Sequence, residues 1–111
     1  MNETTQLFKD WIVALRSGRY PQGKDGLNIE GMFCCLGVAC DLEGRFPWVK
    51  GEIHGRYRYY GKNSTSLDHT TMTALGISNE TEIEVMAMND SGSTFAQIAD
   101  YLEKKAAEGT L

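Results

Sequence analysis

The sequence predicts an α+β fold for residues 1–111 as a single globular domain: four or five helices around a buried central helix, residues 32–42, with a small antiparallel β-sheet in residues 45–62. Three observations predict it. Residues 4–17 and 94–105 place apolar side chains at the three-to-four-residue spacing of amphipathic helices. "MFCCLGVACDL" is apolar on nearly every side, as a helix enclosed by its neighbours must be. "RFPWVKGEIHGRYRYYGK" alternates aromatic and β-branched residues with charges and is broken by three glycines, the pattern of short strands joined by tight turns. At 111 residues with 41% hydrophobic content, the chain can bury one core and not two.

In the first helix, Leu7, Phe8, Trp11, Ile12 and Leu15 form the apolar stripe, with Thr4 as cap and Gly18 as stop. "GRYPQGKDGLNIEG" follows, its four glycines and one proline reading as a long loop. Residues 32–42 form the central helix, stopped at Gly44, and 45–62 supply two or three strands, the one convincing β region. Ser66 then caps a short helix that ends at Gly76. Residues 79–90 are read as a helix in which Asn79 and Glu82 form a capping box, although 82–86 also alternate like a strand. In the last helix Thr94 and Gln97 form a capping box, and Phe95, Ile98, Ala99 and Leu102 line one face.

Charge excludes some functions. The net charge is -4, so the broad basic surface that drives duplex nucleic-acid binding is missing. Its distribution is uneven: residues 16–62 hold eight Lys or Arg against five Asp or Glu, whereas 63–111 hold two against eight. A small anion site in the first half is compatible with that. No apolar run approaches the roughly 20 residues of a membrane span, and the N-terminus lacks the basic and apolar regions of a signal peptide, so a cytoplasmic protein is expected.

The three cysteines admit three chemistries. Cys34 and Cys35 are adjacent, a poor spacing for a disulfide or for joint metal chelation, and His54 and His69 lie far along the chain. No metal or cofactor is implied. A nucleophilic thiol is the second possibility, with Cys34 or Cys35 near a helix start and His69 beside Asp68 as base and orienting group. Apolar neighbours would raise a thiol pKa, and buried cysteine commonly serves as a small hydrophobe, so core packing is the reading adopted.

Three stretches are candidates for ligand contact. In "RYRYYGK", strand alternation puts Arg56, Arg58 and Tyr60 on one face and Tyr57 and Tyr59 on the other, so that guanidinium groups could hold phosphate while a ring stacks on a base. The glycine-rich loop offers Arg19, Tyr20, Gln22 and Lys24, without a phosphate-loop signature. "MNDSGS" offers Asn89 and Asp90, which could hold a ribose hydroxyl or an ion, or merely make the turn that Thr94 follows.

"LRSGRYPQG", "MFCCLGVACDL" and "MNDSGSTFAQIADYLE" occur together here, and in that combination the chain resembles a group of small proteins encoded by tailed bacteriophages and prophages. The residues carrying the resemblance are Leu15 to Gly18, Tyr20, Gln22 and Gly23; Phe33 to Val38 and Cys40 to Leu42; and Asn89, Asp90, Gly92, Thr94, Phe95 and Ile98 to Asp100. Residues 45–75 match no part of the pattern. The resemblance implies a phage setting and no catalytic mechanism. By analogy with small phage proteins, the expected function is to counter host defence by binding and sequestering a nucleotide-derived signalling molecule. A protein-binding inhibitor of a host enzyme, acting through the acidic C-terminal half, is the alternative; a cysteine-dependent hydrolase is the third. A chain this short encloses a nucleotide more completely between two copies, so a homo-oligomer is expected.

Overall fold

The computed structural model describes residues 3–52 and 55–111. Residues 53 and 54, and with them His54, lie outside the described residues. Among the described residues, five helices and a four-stranded antiparallel sheet are arranged as α1 (Gln6–Arg16), β1 (Asn28–Ile29), β2 (Met32–Phe33), α2 (Cys35–Glu43), β3 (Trp48–Lys50), β4 (Tyr57–Tyr60), α3 (His69–Leu75), α4 (Asn79–Asp90) and α5 (Phe95–Glu108). The expected α+β class is the one found.

The core is built around α2, whose first six residues are all buried. It packs against α1, which turns Phe8, Trp11, Ile12 and Leu15 inward; the Trp11 indole N–H donates to the Cys35 carbonyl at 2.8 Å. Gly37 permits a very close crossing: a Cβ there would stand 1.7 Å from the Leu27 carbonyl oxygen. Only glycine can occupy that position without moving the 24–28 segment away from the helix. Gly44 ends α2 in the left-handed conformation, its N–H on the Cys40 carbonyl.

Two expectations need correction. The central helix does not begin at residue 32: Met32 and Phe33 are strand residues paired with Ile29 and Asn28, and the helix begins at Cys35. Glu30 and Gly31, with φ of 53° and 88°, make a two-residue hairpin turn that reverses the chain inside the stretch read as loop. The β region is therefore not confined to 45–62. That segment supplies β3 and β4, and the hairpin supplies the other two strands, in the order β2-β1-β4-β3.

Helix starts shift by one or two residues. Thr5 rather than Thr4 caps α1, and Asp68 rather than Ser66 caps α3. Residues 79–90 are helical as preferred, but the cap is Ser78, and Glu82 is buried with its carboxylate accepting from the Leu67 amide at 2.7 Å. At α5 the Thr94–Gln97 capping box is present with both of its reciprocal hydrogen bonds.

Candidate functional site

Cross-strand partners point to the same side of a sheet, so the register sorts the strand residues into two faces. Phe33, Asn28, Arg58, Tyr60, Trp48 and Lys50 share one. Its aromatic members form a chain of tilted and edge-on rings, Phe33–Trp48 at 5.8 Å and Trp48–Tyr60 at 5.4 Å, that Tyr20 joins through Phe33 at 5.1 Å. The opposite face carries Met32, Ile29, Tyr57, Tyr59 and Val49. On it Met32 and Val49 are 44% and 54% exposed, and the three between them are half-buried.

This sorting removes two tyrosines from the candidate binding surface. Tyr60 is buried, its ring held by Trp48 and Phe46; its hydroxyl donates to Glu43 and accepts from the Arg45 N–H at 2.7 Å. Burial first, and then the Glu43 carboxylate, push its pKa up to about 12. Tyr20 behaves alike: its hydroxyl donates to Asp41 at 2.6 Å, and burial with that bond raises it to about 12. The Tyr60 ring has no face to offer a base, and the Tyr20 hydroxyl is already engaged.

Gln22, Asn89 and Asp90 meet in one hydrogen-bonded knot, in which every polar atom of the Asn89 side chain is used within the protein. Asn89 is 0% exposed. Its Oδ1 accepts from Gln22 Nε2 at 3.0 Å and from the Cys35 N–H at 3.1 Å, while its Nδ2 donates to the Gly23 carbonyl at 2.8 Å and to Asp90 Oδ1 at 3.2 Å. Two donors and two acceptor sites are the full capacity of a carboxamide. The Gln22 amide donates in addition to the Ser93 carbonyl at 2.8 Å, and Asp90 Oδ1 accepts from the Asp25 N–H at 3.0 Å. A physical need explains the knot. Cys34, the residue before α2, makes no side-chain capping bond, and Asn89 reaches across to satisfy the first helical amide instead.

The cysteines are all buried and unpaired. Burial pushes the Cys34 thiol up to about 11, against a weaker opposing pull from the first amides of α2, and it raises Cys35 and Cys40 as well. Cys35 Sγ donates to the Val85 carbonyl. A nucleophile needs the opposite environment, an accessible thiolate beside a base, and His69 is exposed to solvent. These observations weigh against the hydrolase alternative.

What lies together on the solvent side is a different set. Lys24 from the loop and Arg56 from the turn before β4 line one cleft of about 280 Å³ with Gly23, Ile29, Glu30 and Met32. Its floor is the Met32–Ile29 end of the open sheet face, next to Tyr57. A second cleft of about 380 Å³, lined by Val49, Lys50, Gly51, Glu52, Tyr59 and Gly61, lies at the β3 end of the same face. The face thus has an apolar and aromatic middle with Lys24 and Arg56 at its β2 end, while Lys50, a residue of the opposite face, borders the second cleft from the sheet edge. Lys24 has no side-chain partner among the described residues, and its neighbours fix it from both sides, Gly23 through Asn89 and Asp25 through Asp90.

Two other candidates fall outside this arrangement. The Arg58 guanidinium donates to the carbonyls of Gly55 at 2.7 Å and Arg56 at 3.4 Å, closing the turn between β3 and β4. Arg19 is exposed and does not line the Lys24–Arg56 cleft.

Backbone strain marks the same place. Among the described residues, the non-glycine residues with positive φ are Asp25 at 68° and Glu30 at 53°, and they flank the cleft. A left-handed non-glycine residue costs about 1–2 kcal/mol. The Glu30 carboxylate stands 3.8 Å from Arg56 Nε, with both side chains more than half exposed, and such pairs return about 0–1 kcal/mol. The ion pair does not offset the turn. Glu30 escaped the sequence reading, as did Ile29, Met32, Val49 and Lys50; "EG" between "NI" and "MF" was the available signal, a two-residue turn with a charged residue where asparagine or glycine fits best.

Comparison with known proteins gives one positive result. No curated protein and no solved structure matches the chain. Residues 1–70 match a family described as a domain of unknown function, DUF8296. The matched segment contains both walls of the cleft, Lys24 and Arg56 included, and stops short of the Asn89 knot. With residues 1–70 of 111 matched, this chain belongs to the DUF8296 family.

Proposed function

We propose that the protein is a non-catalytic binder that sequesters a small, phosphate-bearing, nucleotide-derived molecule on the open face of its sheet. One observation carries the reading: Lys24 and Arg56, far apart in sequence, line one cleft on the side of the sheet that carries the half-buried Tyr57 and Tyr59. In this role Arg56 makes paired, charge-assisted hydrogen bonds to the phosphate, Lys24 adds a second charge, and a tyrosine ring stacks on the base. The strained backbone at Asp25, next to Lys24, and at Glu30 supports a site there, since strain concentrates where geometry serves a ligand. A cleft of about 280 Å³ holds a phosphate and a sugar but leaves a base uncovered, which supports enclosure by a second copy. In the phage setting that the resemblance implies, sequestration acts against a host defence signal.

The test is a thermal-shift screen of cyclic dinucleotides, ADP-ribose and mononucleotides against the parent chain and a Lys24→Ala/Arg56→Ala variant. A ligand of this class raises the melting temperature of the parent and not of the variant, because binding to the folded state alone stabilises it. Equal shifts in both proteins place the site elsewhere. A second reading, an inhibitor that binds a host enzyme through the acidic half, is favoured by Ile83, which is 54% exposed on α4 in the same stretch as Glu80 and Glu84. On that reading no small molecule shifts the melting temperature.

A further inference from the structure

We propose that Glu30 is a specificity-determining residue, through which the Lys24–Arg56 cleft selects a singly phosphorylated sugar with free hydroxyls over a bare or multiply charged phosphate. The inference rests on the reading of this cleft as a phosphate site. Glu30 lines it together with both cations, and its carboxylate stands 3.8 Å from Arg56 Nε. Its backbone is tied down independently of its side chain: the Glu30 N–H donates to the Arg56 carbonyl at 3.0 Å, and Asn28 Oδ1 accepts from the Gly31 N–H at 2.8 Å. The side chain contributes little to the hairpin, and at φ 53° it occupies a position that asparagine fills with less strain.

An ionised carboxylate accepts hydrogen bonds and donates none. Beside a lysine and an arginine that bind one phosphate, it repels a second phosphate and accepts from a hydroxyl. A sugar monophosphate meets both demands within one small cleft: the phosphate faces the cations and a ribose hydroxyl faces Glu30. Inorganic phosphate meets only the first, and brings its own charge towards the carboxylate.

The experiment is isothermal titration calorimetry on the full chain with adenosine 5′-monophosphate, its 2′,3′-dideoxy analogue and inorganic phosphate, repeated on Glu30→Asn. The parent binds the ribonucleotide about tenfold tighter than the dideoxy analogue, the value of one hydrogen bond to a charged group. Glu30→Asn, which suits the turn, melts no lower than the parent, loses that discrimination and binds inorganic phosphate at least as well. Equal binding of the two nucleotides by the parent overturns the role of Glu30 and leaves the phosphate site standing. A Glu30→Asn protein that melts lower yet still discriminates overturns it too, since the residue is then structural. Failure of all three probes to bind overturns the phosphate site and this inference together.

Discussion

The knot at Asn89 and the open face of the sheet are both rich in residues that suggest binding, yet they use them in opposite ways. At the knot every polar group of the Asn89 carboxamide is engaged inside the protein, joining the 22–25 loop, the start of α2 and the α4–α5 turn. On the open face, among the described residues, Lys24 has no side-chain partner and the Arg56 guanidinium has only a long, exposed ion pair. A polar string is a candidate site only while its hydrogen-bonding capacity is unspent. The two regions nevertheless meet, since the knot grips the residues on either side of Lys24. One builds the scaffold and the other presents it.

The largest effects are expected where the scaffold is tightest. Gly37→Ala forces a methyl group against the Leu27 carbonyl, and overpacking of this severity should cost more than about 3 kcal/mol, read by urea denaturation. A loss below about 1 kcal/mol would mean that the 24–28 segment yields easily and that the comparison with the open face is overdrawn. Asn89→Ala leaves the Cys35 N–H and the Gly23 carbonyl without their partner in a buried setting, for an expected loss of about 2–4 kcal/mol. Because that change also frees the backbone beside Lys24, it should weaken phosphate binding in whatever fraction remains folded.

Thr94→Ala removes the capping acceptor of α5, and about 1 kcal/mol of stability should go with it, ligand affinity being unchanged. Alkaline pH also lowers stability. The folded state holds Cys34 as a neutral thiol up to about 11, so above the ordinary value of 9.0 the unfolded chain binds fewer protons than the folded one. Stability is then level below 9.0 and declines as the pH climbs towards 11, with Tyr20 and Tyr60 adding to the decline above their ordinary value of 10.0. Denaturation curves that stay level across this window would contradict the burial assigned to the thiol. The smallest stability effects belong to the open face: Lys24→Ala and Arg56→Ala should stay within about 0.5 kcal/mol of the parent while each weakens phosphate binding by about tenfold or more.

The helices were legible because their signals are local. The stripe of α1, the Thr94–Gln97 box and the stops at Gly44 and Gly76 each need only neighbouring residues to be read. The hairpin was not, since strands of two residues carry no measurable alternation and Met32 and Phe33 read as the apolar start of the helix that follows. Lys24 and Arg56 could be named from composition, but their shared cleft depends on β1 lying beside β4, a pairing the sequence does not announce. Asn89 was named for the wrong reason. Its partner is the amide of Cys35, and the sequence hint was that Cys34, at the N-cap, brings no side-chain oxygen to cap the helix itself.

Whether the open face binds ligand while the knot serves as scaffold is read out by an amide NMR titration of the parent chain with adenosine 5′-monophosphate. Saturable shifts confined to residues 23–32 and 55–59, with those of Asn89 and Ser93 unmoved, are expected. Shifts centred on Asn89 and Asp90 with the 55–59 amides silent, or no saturable shift at any position, would contradict that division of roles.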